Sequence, residues 1–311
     1  MVNVMAREET RVAVGGRELS ISNLDKVLFP ETGFTKGQLI DYYAKVGPVM
    51  LRHIEDRALT MKRFPDGVDK QFFYEKHVPS HAPKWVRTVL VPAADGGEGV
   101  EYTVICDLPS LVWAGNLGAI ELHVPLWRIG RRRSLPGPPD LIVFDLDPGE
   151  GTTIVECCAV GLLVRDELAQ RGLESVAKTS GSKGLQVYAK VKPRATWDKT
   201  REDAHGIARA LEKAQPSAVT SVMRKSLRQG KVLIDWSQNH PSKTTVAAYS
   251  VRGRPRPTVS TPVSWDEVEA CAEGGDPGLL EFTTDEVVAR LDERGDLLES
   301  LTAGSSPRGG A

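Results

Sequence analysis

The chain has 311 residues, 41% of them hydrophobic, and a formal net charge of −1. That is enough apolar material for a sizeable core, while no apolar run approaches the ~20 residues of a membrane span. The polar start from Met1 to Glu9 does not resemble a secretion signal, so a cytoplasmic location without a membrane partner is expected.

In chain order, β-like runs at 11–14 and 18–22 lead into Asn23 to Pro30. Thr35 is placed to cap a helix from Lys36 to about Ile54, with Leu39, Ile40, Tyr43 and Val46 on one face. Strand patterns follow at 58–64, 71–77, 85–91 and 101–106, several of them alternating, which favours an antiparallel or mixed sheet. Ala94 to Gly99 reads as a turn, 109–118 as a small-residue helix and 120–125 as a short strand. The basic, proline-rich stretch Arg128 to Pro139 reads as an active-site loop, because candidate chemistry lies on both sides of it. Leu141 to Gly149 is an apolar strand that ends in Asp145 and Asp147 and is stopped by Pro148. Next come a helix at 154–171, a strand at 175–179, the glycine-rich turn Ser180 to Gly184 and a strand at 185–192. Helical periodicity covers 199–225, strands are expected at 232–236 and 246–251, and helices around 265–272 and 285–301. The whole of 1–301 reads as a single catalytic domain, and 302–311 as a disordered Gly/Ser/Pro/Arg-rich tail.

Strand side chains alternate, so Asp145 and Asp147 face one way while Phe144 and Leu146 face the other. Carboxylates held that close repel unless a cation neutralises them, and a divalent ion is the natural partner; an isolated Asp-x-Asp can equally begin a turn. Asp235 ends an apolar strand in the same manner, and three such acids can hold two metals for an in-line displacement. A calcium loop beginning at Asp145 fails, because Glu150 stands where its sharp turn needs glycine.

Backbone amides of Ser180 to Gly184 can approach phosphate, with Ser180 and Lys183 in reach, although such a turn also serves as a plain hairpin. His123 lies between Leu122 and Val124 and on its own reads as a core histidine. Of Phe72 and Phe73, one should pack inward and the other stay exposed as a base-stacking platform, unless the strand is merely well packed. Asn23, Lys26 and Lys36 can converge on an anion. The pair His77 and His81 has a proline between its members and is given no role. Cys106, Cys157, Cys158 and Cys271 lack C-x-x-C spacing and read as buried reduced thiols. The near-zero charge hides an asymmetry: Arg224 to Arg256 carries eight Lys/Arg against Asp235 alone, and Asp266 to Glu299 twelve acids against two arginines. A polyanion responds to the local field, so the balance does not exclude nucleic acid.

Seven motifs now stand in order: Asn-Leu-Asp-Lys-Val-Leu-Phe-Pro, Gln-Phe-Phe-Tyr-Glu-Lys, Ile-Glu-Leu-His-Val-Pro-Leu-Trp, Phe-Asp-Leu-Asp-Pro-Gly, Ser-Gly-Ser-Lys-Gly-Leu, Ile-Asp-Trp-Ser-Gln-Asn and Ala-Tyr-Ser-Val-Arg. From about Leu19 to Leu301 the chain resembles the primase-polymerase domain of bacterial DNA ligase D, in the archaeo-eukaryotic primase superfamily. The resemblance implies an α/β (α+β) fold: a central mixed sheet of the RNA-recognition-like primase type, with an N-terminal α/β lobe walling the cleft. It implies that Asp145, Asp147 and Asp235 bind two Mn2+ or Mg2+ ions, and that Lys62, His123, Ser180, Lys183, Arg252 and Gln238 serve the incoming nucleotide. Asn23, Lys26 and Lys36 would grip a 5′-phosphate, and Phe72, Phe73 and Arg228 would contact DNA. Where the family often has histidine, this chain has Gln186, which carries no charge.

The expected function is template-dependent extension of a primer 3′ end at short gaps or broken DNA ends, preferring ribonucleotides. The expected partners are gapped or broken DNA with a 5′-phosphate, NTP or dNTP, an ATP-dependent DNA ligase and a Ku-type end-binding protein, with the chain a monomer at the bacterial nucleoid. Two other classes fit the same residues. A two-metal phosphoesterase or nuclease would use the three acids, and a non-catalytic DNA-end-binding module would use the lysines and aromatics.

Overall fold

A capping box starts the first long helix, α1 (Lys36–Ile54). Thr35 Oγ1 accepts from Gln38 N–H at 3.3 Å, and Gln38 Oε1 accepts from Thr35 N–H at 2.8 Å. The structure, a computed structural model, describes residues 9–93, 96–130 and 133–302. Helix α1 buries Leu39, Ile40, Tyr43, Val46 and Met50, the face that the spacing predicts. It packs closely on α2 (Leu108–Asn116), where a Cβ on Gly47 would stand 2.6 Å from the Leu108 side chain.

Both helices share one core with a four-stranded antiparallel sheet, ordered Thr245–Val246, Ala119–Val124, Thr60–Arg63 and Phe73–Glu75. The second sheet has six strands, in the order Val219–Thr220, Val232–Asp235, Leu141–Pro148, Leu185–Lys190, Ser175–Thr179 and Pro262–Val263. Its first pair is parallel and the rest antiparallel, so it is mixed, as expected. Phe144, Leu146, Leu185, Val187 and Ile234 form a second core with α3 (Ile154–Gln170) and α4 (Trp197–Ala214). Alternation in the acidic strand leaves Asp145 and Asp147 half-buried on the other face.

After Asp235 the chain leaves the sheet in a 3-10 turn, and a side chain continues the pairing. The fully buried Asn239 accepts from Val143 N–H at 2.9 Å and donates to Val143 O at 2.7 Å. Near the C-terminal end, Asp296 ties the chain back to α1 and to Tyr249. Its carboxylate accepts from Tyr249 OH at 2.8 Å and meets His53 Nε2, in the last turn of α1, at 2.9 Å.

Several expectations need correction. The loop expected at Arg128 to Pro139 is, in its described residues, an irregular hairpin: Trp127–Gly130 and Arg133–Pro139 pair, with bulges that accommodate the prolines. The helix expected over 199–225 stops at Ala214, because Gln215 precedes Pro216 and the residue before a proline avoids the helical region. The strand expected at 246–251 is only Thr245–Val246, and the helix expected at 285–301 divides into Thr284–Arg294 and Glu299–Thr302. Cys106 is exposed, unlike the other three cysteines. The turn at Ala94 to Gly99 and the tail fall partly or wholly outside the described residues. No helix among those described is long and apolar enough to cross a membrane.

Candidate active site

Strand register builds the site. One cross-strand row runs Lys178, Gln186, Asp145, Asp235, each residue directly opposite the next. Asp147, two residues beyond Asp145, lies on the same face. Directly opposed side chains have Cβ atoms roughly 4.5–5.5 Å apart, so Asp145 and Asp235 share one locale, on the side the sequence predicts. A cleft of about 360 Å³ opens over Asp145 and Asp147, and is also lined by His123, Ser180, Lys183, Gln186, Arg228 and Arg252. Asp235 borders this group through its register with Asp145.

The acids are not drawn into a closed ligand set; among the described residues no three Asp, Glu, His or Cys side chains are. Each turns to local donors instead. Gln186 Nε2 donates to Asp145 Oδ1 at 3.0 Å, and Gln238 Nε2 to Asp235 Oδ2 at 2.9 Å. Ser237 N–H and Oγ–H reach Asp235 Oδ1 at 2.9 and 2.6 Å. Burial, followed by the charges of Asp147 and Asp235, pushes the Asp145 carboxyl up to about 7. Burial and Asp235 likewise raise Asp147, against the pull of Arg228. Three oxygen-donor side chains whose mutual repulsion outweighs their local donors at Asp145 and Asp147 would suit Mg2+ or Mn2+.

A pH dependence follows from these shifts. A carboxyl raised in the folded state is stabilising while protonated, and this contribution fades as pH rises from its ordinary value toward about 7. A metal must displace that proton. Mn2+ affinity, measured by calorimetric titration, is therefore expected to rise steeply up to pH of about 7 and then level off. An affinity flat from pH 5 to 8 would contradict it.

The loop after Ser175–Thr179 is braced from inside. Ser180 Oγ accepts from Ser182 N–H at 3.2 Å and Gly184 N–H at 3.0 Å, leaving its hydroxyl proton for an outside acceptor. Arg252 donates to Ser180 O, and Thr258 Oγ1 to Gly181 O at 2.7 Å. Lys183 projects into solvent at the cleft mouth. A Cβ on Gly184 would stand 2.2 Å from Leu146 O, so the loop touches the acidic strand through backbone alone. Gly184→Ala is expected to separate loop from acids and to raise the KM for nucleotide about tenfold or more, since small displacements of positioned groups are costly. An unchanged KM would mean that this contact does not set the loop.

Sequence reasoning missed Glu121, which stands under the three other expected phosphate ligands. This 2%-exposed carboxylate meets Lys62 Nζ at 3.1 Å, His123 Nε2 at 2.9 Å, Arg252 Nε at 3.3 Å and Gly253 N–H at 3.1 Å. Burial alone would raise its pKa, but His123, Arg252 and Lys62 outweigh burial and hold it well below the usual carboxylate range. His123 is thus a hydrogen-bond partner of Glu121 at the cleft wall, its pKa shifted downward mainly by burial, which favours the neutral imidazole. The only sequence signal was a glutamate two places before His123 in an apolar strand.

Phe72 and Phe73 are both exposed, at 44% and 42%, so the inward-outward division does not hold. Lys62 Nζ lies 4.1 Å over the Phe72 ring, and Arg63 stands over Phe73 at 5.1 Å. Asn23, Lys26 and Lys36 do gather: Lys36 N–H donates to Lys26 O, and Lys26 N–H to Asn23 O. However, Lys26 pairs with Asp66 at 2.7 Å and Lys36 is buried, donating to Ser22 O at 2.5 Å. Arg228 lines the cleft and donates to Met223 O.

A mixed sheet with clustered strand-end acids, facing a second α/β layer that carries cations, defines the class: a polymerase fold of the archaeo-eukaryotic primase type. Residues 35–298 match the family model described as LigD, primase-polymerase domain, and the chain belongs to that family. It is 44% identical over 291 residues to the multifunctional non-homologous end joining DNA repair protein LigD of Mycobacterium tuberculosis H37Rv, covering 92% of this chain and 37% of that protein. It is 32% identical over 279 residues to the bifunctional non-homologous end joining protein LigD of Bacillus subtilis, covering 89% and 43%. The chain therefore spans less than half the length of these relatives. The solved polymerase domain of Mycobacterium tuberculosis ligase D, in complex with DNA, superimposes with a TM-score of 0.86 at 44% identity, covering 92% of this chain and 98% of that one.

Proposed function

We propose that the chain extends a primer 3′ end on a DNA template at short gaps or broken ends, as the polymerase unit of non-homologous end joining. The observation that supports this reading above others is the in-register pairing of Asp145 with Asp235, with Asp147 on the same face and the Ser180 to Gly184 loop against the same strand. In the reaction the primer 3′ oxygen attacks the α-phosphorus of a nucleoside triphosphate, the bond to the bridging oxygen breaks, and pyrophosphate leaves. Asp145, Asp147 and Asp235 would hold two Mn2+ or Mg2+ ions, whose chemistry is to acidify the primer hydroxyl and neutralise the triphosphate. Lys183, the Ser180 hydroxyl and the loop amides bind the leaving pyrophosphate. Lys62 and Arg252, grouped with His123 by Glu121, present positive charge from the other wall, and His123 adds a ring N–H. Phe72 and Phe73 offer ring faces to bases, and Asn23, Lys26 and Lys36 engage a 5′-phosphate after Lys26 exchanges Asp66 for it.

Preference for ribonucleotides and recruitment by an ATP-dependent ligase or a Ku-type protein rest on family resemblance. The test is a labelled gapped duplex, with and without a 5′-phosphate, incubated with Mn2+ and either NTPs or dNTPs. Lengthening that is faster with NTPs and with the 5′-phosphate supports the reading. Shortening without triphosphate would make the protein a nuclease, and binding without chemistry an end-binding module.

A further inference from the structure

We propose that Lys178 is a positioning residue for the metal-binding carboxylates, acting through Gln186 on Asp145; this rests on the metal-site reading above. Lys178 is 2% exposed, opposite Gln186 in the cross-strand row that continues to Asp145 and Asp235. Its Nζ donates to Gln186 Oε1 at 2.5 Å and to Ser260 Oγ at 2.6 Å. Ser260 Oγ in turn donates to Thr179 O at 2.8 Å, so that its lone pairs are left for the lysine. Tyr188 OH lies 3.0 Å from the same Gln186 oxygen.

An amide can present oxygen or nitrogen to either side, and its neighbours decide which. Here Lys178 Nζ donates to Gln186 Oε1, and Tyr188 OH donates to the same oxygen. Gln186 must therefore turn its oxygen toward Lys178 and its NH2 toward Asp145 Oδ1, 3.0 Å away. Flipping the amide would set NH2 against the Lys178 and Tyr188 donors and carbonyl against carboxylate. The lysine thus fixes the amide, and the amide commits Asp145 Oδ1 to the sheet, leaving Oδ2 for a cation. Partners of this kind, behind a metal ligand, are commonly worth 10–100-fold in metal affinity.

The test uses Mn2+ alone as probe, titrated into the full chain and read by electron paramagnetic resonance of the free ion. Lys178→Met and Gln186→Leu should each weaken Mn2+ binding by about tenfold. The double variant should be no worse than the weaker single one, because both cut the same link. The Mn2+ concentration for half-maximal extension should rise by the same factor, with the KM for NTP unmoved. Wild-type affinity in folded Lys178→Met, or penalties that multiply in the double variant, would overturn the proposal. If Lys178→Met does not fold, Gln186→Leu decides, and wild-type Mn2+ affinity there overturns it equally. Asp145→Asn separates the two layers: if it binds Mn2+ like wild type, the metal site and this proposal fail together. If it loses Mn2+ while Lys178→Met does not, only the role of Lys178 fails.

Discussion

Replacing Asp145 by alanine is expected to reduce primer extension by roughly 10³-fold or more while making the metal-free protein more stable. The activity loss follows from the several kcal/mol that metal-borne charge stabilisation supplies, at a tenfold change in rate for each ~1.4 kcal/mol. The stability gain follows from the sign of the shift. Burial, Asp147 and Asp235 raise the Asp145 carboxyl to about 7, so near neutral pH the fold carries a carboxylate that its surroundings disfavour. Alanine removes that repulsion. Primer extension on the gapped duplex and thermal melting without metal measure the two halves separately. A variant that lost both activity and stability would show Asp145 to be a structural acid, and Asp235→Ala retaining full activity would remove Asp235 from the metal site.

Glu121→Gln is expected to cost about 3–5 kcal/mol of stability and to weaken nucleotide binding, because breaking a buried ion pair leaves its partners uncompensated. Lys62, His123, Arg252 and Gly253 N–H meet at that one carboxylate, and glutamine brings an NH2 into a space shaped by four donors. Because this carboxyl is depressed in the folded state, its contribution is present above the ordinary carboxylate range and is lost as pH falls through that range and below. The variant should therefore differ most from wild type in urea unfolding near neutral pH and least in acid. The KM for nucleotide should rise more than kcat falls if, as proposed, the groups held by Glu121 bind the triphosphate. A lower kcat at unchanged KM would contradict that assignment.

What could be read from the sequence was what local chemistry decides. The Thr35 capping box fixed the start of α1, and two-residue alternation put Asp145 and Asp147 opposite Phe144 and Leu146. Ordered motifs carried the fold class, because several short matches in one sequence order constrain topology more than any propensity does. Glu121 and Lys178 were not legible for the opposite reason. Each looks like a charge in an apolar strand, and its meaning depends on which strands lie beside it: Thr60–Arg63 for Glu121, Leu185–Lys190 for Lys178. The Arg128 to Pro139 segment misled because proline and arginine suggest a loop, whereas a bulged hairpin tolerates both. Phe72 and Phe73 misled through the assumption that both belong to the strand; it starts at Phe73, so alternation had no hold on Phe72.

Asn239 closes the end of the four-residue strand that carries Asp235, bonding both backbone groups of Val143 through its side chain. Short strands ordinarily fray from their last residue, and Asp235 is that residue. With a side-chain clasp one turn further on, the terminal acid behaves mechanically as though it sat mid-strand. Opening it means breaking the clasp as well as the ladder, so fluctuations that would scatter the three acids are confined to much rarer events. The Val143 amide proton, held by that clasp inside the sheet, is where such rarity would register as slow exchange with solvent.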